Sequence, residues 1–191
     1  FYVHSDVGEE FQAKLVAATE ELTVGYQLDR GVGLGPLIDE PSRQKVEELV
    51  TDAVDKGAKV LTGGTTPDRD GWFYEPTIFT GCTREMDIFR EEIFGPVLVA
   101  IPWDDEAEVL RMANDSHYGL AGYVFSSNTA RAIRLAHQID SGWIQVNQGR
   151  GQILGQPYGG FKESGLGKEM ALHSMLESFS RLKTVTVNLG I

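Results

Sequence analysis

The sequence predicts an α/β fold: a mostly parallel sheet with helices on both faces. Helical and extended patterns alternate through much of the chain, the order produced by βαβ units. The run Val97 Leu98 Val99 Ala100 Ile101 is apolar at every position, as in a strand covered on both faces. The 191 residues are 41% apolar, enough to bury one sizeable core with little left for a second. One main domain, 1–180, with a short arm, 181–191, is the expected organisation.

Phe1 to His4 reads as a strand-like start that continues from something missing. From Asp6 the period becomes helical. Asp6 and Glu9 form a capping pair, and Val7, Phe11, Leu15, Ala18 and Leu22 share one face. A loop from Gly25 to Gly35 follows. A second helix begins near Pro41, puts Val46, Leu49, Val50, Ala53 and Val54 on one stripe, and stops at Gly57, where a left-handed residue is easily accommodated. Lys59 to Leu61 is a short strand. Pro76 leads into Thr77 Ile78 Phe79, which is assigned to a sheet edge because proline removes a ladder donor. Met86 to Arg90 allows one helical turn, and Val97 to Ile101 is the central strand. Helix 105–113, strand 122–125, helix 129–139 and strand 143–146 then alternate. Seven glycines between Gly149 and Gly167 point to a loop shaped around something. A last helix spans about 168–179. Thr184 to Leu189 alternates threonine and valine and reads as an unpaired strand that needs a partner edge.

A formal charge of −11 argues against nucleic acid or an anionic membrane surface as partner, since both would repel it. No apolar run approaches the roughly 18 residues of a membrane helix, and no basic, apolar leader precedes Phe1. The single cysteine, Cys82, cannot close an internal disulfide. A soluble, cytoplasmic protein is expected. His4, His117, His137 and His173 lack metal-ligand spacing, so no metal centre is expected. Gly31 to Gly35 is not a dinucleotide fingerprint, because Pro36 follows and no helix begins at the last glycine.

Two motifs carry chemistry. In Glu91 Glu92 Ile93 Phe94 Gly95 Pro96 Val97, a carboxylate two residues before an aromatic ring can accept hydrogen bonds from both ribose hydroxyls while the ring covers the sugar. An acidic helix end followed by a buried phenylalanine is the alternative. Pro157 to Gly165 holds paired glycines beside Lys162 and Ser164, and Trp143 to Asn147 precedes it. A solvated surface loop is the alternative there.

Together with Gly35 Pro36 Leu37 Ile38 and Ser116 His117 Tyr118 Gly119 Leu120, these motifs resemble the NAD(P)-dependent aldehyde dehydrogenases over essentially the whole chain. The resemblance implies that Glu92 holds the nicotinamide ribose and Phe94 packs beside the cofactor, NAD or NADP. Lys45 is the implied second contact, because Ser42 stands where many relatives place a glutamine. Asn147 and Tyr158 match positions near the aldehyde. The loop between them, with Arg150 and Gln152, would line the substrate mouth, and a cation and an amide there suggest a polar or acidic substrate. Lys162, Gly165 and Glu169 match positions associated with a monovalent cation or a charge relay, although a Lys162–Glu169 surface pair explains two of them equally well.

The implied reaction is attack of a cysteine thiolate on an aldehyde, hydride transfer from the thiohemiacetal, and hydrolysis to the acid. The nucleophile is expected just before Phe1 and the general base further upstream. The chain thus reads as the C-terminal part of a catalytic domain plus an oligomerisation arm, with no catalytic residue of its own and no activity alone. Cys82 lacks the family's glutamine and glycine context and is read as structural or incidental. A dimer or tetramer through the terminal strand is implied. A coenzyme A-acylating semialdehyde dehydrogenase and a truncated, non-catalytic dimerising homologue are the alternatives.

Overall fold

The computed structural model describes residues 1–190. They fall into two compact units, Phe1–Val109 and Leu110–Ile191.

The first unit is built on a four-stranded sheet of β1 (Tyr2–His4), β2 (Lys59–Thr62), β3 (Thr77–Thr80) and β4 (Val97–Trp103), in the order β1-β4-β3-β2. β4 pairs in parallel with both β1 and β3, as its apolar run suggested. β2 pairs with β3 antiparallel, so the sheet is mixed, with two of its three pairings parallel as expected. The reason lies in the turn-rich connection 63–76, which contains no helix to carry the chain across the sheet. Without a crossover, the second strand returns antiparallel. The edge assignment of Thr77 to Phe79 is also corrected: β3 is an inner strand, and these three side chains are buried. Pro76 precedes the strand instead of interrupting it, so no ladder donor is lost.

Helix α1 (Ser5–Glu20) starts one residue earlier than expected, and His4 caps it, Nδ1 accepting from the Asp6 N–H at 3.2 Å. The Asp6–Glu9 capping pair is therefore replaced. Phe11 and Leu15 are half-buried, while Val7, Ala18 and Leu22 stay exposed. Helix α2 (Glu40–Asp55) is capped by Asp39, whose carboxylate accepts from the Ser42 N–H at 2.9 Å. Hydrogen bonding from the Ser42 hydroxyl, and then from this N–H, holds the Asp39 carboxyl below its ordinary pKa. Val46, Val50 and Ala53 of α2 meet Ala58, Tyr74, Phe79, Met86, Ile88 and Val97 in the core. Val54, one position round the helix, is exposed. Burying a side chain such as Phe79 contributes roughly 1.5–3 kcal/mol. The short helix α3 (Asp87–Arg90) packs on α2.

Helix α4 (Glu106–Asn114) leads into the second unit. There β6 (Ala121–Val124), α5 (Thr129–Ala136) and β7 (Trp143–Val146) form a parallel βαβ unit, as the alternation predicted. Two short strands that the pattern did not announce, β5 (Tyr118–Gly119) and β8 (Phe161–Lys162), pair antiparallel. α6 (Leu172–Phe179) begins later than expected, because Glu169 is held in a backbone bridge with Tyr158. Residues 180–190 belong to no helix or strand, and Val185, Val187 and Leu189 are exposed. The expected terminal strand is not formed within this chain; a strand exists only through the hydrogen bonds of a neighbour, and the partner edge expected for it is that of another subunit. No helix among the described residues is long and apolar enough to cross a membrane.

Candidate functional site

The first unit carries the proposed cofactor residues. Lys45 projects from α2, and its Nζ donates to the Glu92 carbonyl at 2.6 Å. This ties the start of the motif to the helix. Ile93 is half-buried against the core. Gly95 lies so close to α2 that a β-carbon there would sit 2.5 Å from Val46 Cγ2; only glycine lets the turn pack on the helix. The Pro96 carbonyl accepts from the Thr77 N–H at 2.8 Å, which sets the entry into β4 beside β3. Between these anchors Phe94 is held at φ +52° with 78% of its surface exposed. A left-handed conformation is costly for an aromatic residue and concentrates at functional sites. The alternative of a buried phenylalanine is thereby removed. Glu92 is exposed, and among the described residues no hydrogen bond or ion pair engages its carboxylate.

The second unit carries the proposed aldehyde residues. Asn147 closes β7 at φ +53°, its Oδ1 accepting from the Ser126 N–H at 2.8 Å and its Nδ2 donating to the Ser126 carbonyl at 2.9 Å. This reciprocal pair locks the ends of β6 and β7 together. Tyr158 packs edge-on against Trp143, ring centroids 5.5 Å apart. Its backbone is bridged to Glu169. Arg150 and Gln152 are exposed on the intervening loop.

Lys162, at φ +51°, donates to the Asn114 carbonyl at 2.8 Å and pairs with Asp140 at 3.2 Å. The alternative Lys162–Glu169 pair is therefore not formed. Gly165 is exposed, with nothing within 4 Å of where a β-carbon would stand. The structure gives Lys162, Gly165 and Glu169 no hydrogen bond or ion pair in common. Phe94, Asn147 and Lys162 are three of the four non-glycine residues with positive φ among the described residues; the fourth is Met170.

Sequence reasoning missed Lys168. Its Nζ donates to the Gly159 carbonyl and, at 3.4 Å, to that of Gly142, and lies 4.5 Å from the centre of the Phe161 ring. Ser164 Oγ accepts from the Gly119 N–H at 2.9 Å. These ties make the paired-glycine motif a braced turn rather than a loose surface loop. The available signal was a lysine inside a glycine-rich segment whose carbonyls need donors. Cys82 is half-buried, and burial raises its thiol above the ordinary value. At neutral pH it is a protonated thiol and a poor nucleophile. Among the described residues, no group of three or more His, Cys, Asp and Glu is placed to hold a metal ion.

Comparison with known proteins agrees with the motifs. The family model described as "Aldehyde dehydrogenase family" matches residues 1–185. An aldehyde dehydrogenase of Paenarthrobacter nicotinovorans is 39% identical over 97% of this chain and 40% of its own length. The glutarate-semialdehyde dehydrogenase of Pseudomonas aeruginosa is 40% identical over 95% of the chain and 38% of its own length. The chain thus spans about two fifths of the relatives it matches. Among solved structures, succinate-semialdehyde dehydrogenase from Burkholderia pseudomallei superposes with a TM-score of 0.88 at 39% identity, over 92% of this chain and 36% of that one. Betaine aldehyde dehydrogenase from Staphylococcus aureus in complex with NAD+ superposes with a TM-score of 0.86 at 35% identity, over 92% and 36%. With a braced turn presenting Glu92 and Phe94 and a family match along nearly its whole length, the chain belongs to the aldehyde dehydrogenase family.

Proposed function

We propose that this chain is part of an oxidoreductase that converts an aldehyde to a carboxylic acid with NAD or NADP. The observation that carries the reading is Phe94, exposed in a left-handed conformation beside a Glu92 whose peptide carbonyl is tied to Lys45. A solvent-facing aromatic ring next to an uncommitted carboxylate suits a ribose with its attached ring. NAD(P), when bound, supplies the hydride acceptor. Glu92 would accept from the ribose hydroxyls, Phe94 would cover the sugar, and Lys45 would hold the backbone that aims both. Asn147 and Tyr158 would shape the aldehyde mouth. Nucleophile and general base belong to the part of the relatives' length that this chain does not span. A relay or monovalent-cation role is proposed for Lys162, Gly165 and Glu169 only through separate contacts. The enzyme is proposed to be cytoplasmic.

Arg150 and Gln152 favour an aldehyde with a carboxylate at its far end, and two of the relatives above are named as semialdehyde dehydrogenases. In the enzyme that carries this chain, succinic or glutaric semialdehyde should be oxidised with a kcat/KM roughly 10- to 100-fold above that of an aliphatic aldehyde of equal length, the factor one charge-assisted contact supports. Reduced cofactor should form without coenzyme A. A preference for the aliphatic aldehyde would overturn the substrate class, and a strict need for coenzyme A would assign a coenzyme A-acylating semialdehyde dehydrogenase.

We further propose that residues 181–191 serve as an oligomerisation arm. The residues Leu172, Leu176, Phe179 and Leu182 are exposed together with Val185, Val187 and Leu189, an apolar surface that a second copy would cover. Deleting 184–189 is expected to give monomers in sedimentation. Unchanged assembly would rule the arm out.

A further inference from the structure

We propose that Gln145 is a positioning residue, pinning the loop between Asn147 and Tyr158 at Arg150; that this loop borders the aldehyde rests on the reading above. Gln145 lies in β7 with 3% of its surface exposed. Its Nε2 donates to the Arg150 carbonyl at 2.6 Å, closing a turn from the strand back onto the loop. Its Oε1 is buried with no hydrogen-bond partner. A buried amide with one orphaned acceptor is a poor way to fill a core, since an apolar side chain of the same volume would avoid the desolvation cost. What the amide provides, and a methionine would not, is the donor to Arg150.

Two other contacts complete the loop's support. The Gly155 N–H donates to the Met170 carbonyl at 3.1 Å, and Tyr158 exchanges backbone hydrogen bonds with Glu169. Both lie at the far end of the loop. At the near end, Gln145 is the side chain that ties the Arg150 carbonyl back to β7, while residues 151–154 remain exposed.

The test uses the enzyme that carries this chain and needs no catalysis. Trypsin cleavage after Arg150 is followed in the parent and in Gln145→Met, with cleavage after Arg134 in α5 as the internal reference. The expected result is cleavage after Arg150 faster by roughly 2- to 12-fold, the shift in open population from one net hydrogen bond. Melting temperature should be unchanged or raised, because the orphaned acceptor is gone. Unchanged cleavage after Arg150 would overturn the proposal, as would an equal rise after Arg134, which would mean general loosening. In the enzyme that carries the chain, Gln145→Met is expected to raise KM for the carboxylate-bearing aldehyde and leave kcat within roughly twofold. A freed loop with unchanged KM would support the pin and remove the loop from the substrate mouth, so the two readings fail separately.

Discussion

Substituting Glu92 by glutamine in the enzyme that carries this chain is expected to slow hydride transfer by roughly 10- to 100-fold, with little change in melting temperature. The size follows from the hydrogen bonds at stake: those to a charged acceptor are worth about 1.5–3 kcal/mol. Glutamine keeps the shape but replaces one of the two acceptor oxygens with a donor, so it cannot receive both ribose hydroxyls. Stability should hold because Glu92 is exposed and its side chain supports nothing else among the described residues. Surface changes of this kind stay within about 0.5 kcal/mol. The anchor from Lys45 reaches the Glu92 main chain, so the turn keeps its place in the variant. Single-turnover measurement of cofactor reduction separates the step from binding. Normal kinetics in the variant would take Glu92 out of the site.

Gly142→Ala should act in the opposite way, on folding first and on chemistry only as a result. A β-carbon at position 142 would overlap the Gly159 carbonyl and run into Lys168 Nζ. The lysine can swing aside, but the carbonyl is backbone and is held by that same lysine and by the neighbouring bridge from Tyr158 to Glu169. Room for one methyl must therefore come from moving two chain segments apart. Overpacking of this kind costs about 3 kcal/mol at the upper end of its usual range, which lowers Tm by roughly 6–12 °C in a chain of this size. Differential scanning calorimetry reads it directly. A melting temperature within about 2 °C of the parent would mean that the turn relaxes freely, and that the close approach at Gly142 is not what braces the motif.

These two substitutions mark where sequence reasoning was strong and where it stopped. The family was legible because a carboxylate, a ring and a glycine–proline turn in the seven residues from Glu91 to Val97 form a local pattern, and local patterns survive in one dimension. The helix stripe of Val46, Leu49, Val50 and Ala53 was legible for the same reason: its period is written along the chain, and all four are buried. Lys168 was not, because its partners Gly142 and Gly159 lie 26 and nine residues away and a lysine carries no mark of which carbonyl it will meet. The same holds for Lys162, which the sequence paired with Glu169 and the fold pairs with Asp140. Charged side chains reach far enough that several partners satisfy the same sequence, and only the packing selects one.

The sequence by itself determined the family, the α/β class and most of the helices. Each of these depends on residue order or on a period of two or 3.6 residues, quantities that need no knowledge of the rest of the chain. Tertiary structure alone decided the antiparallel pairing of β2, the interior place of β3, the exposure of Phe94 and the pinning of Arg150 by Gln145. These depend on which distant backbone groups meet. That choice is made by burial and hydrogen-bond satisfaction over the whole unit, so no single segment of the sequence contains it.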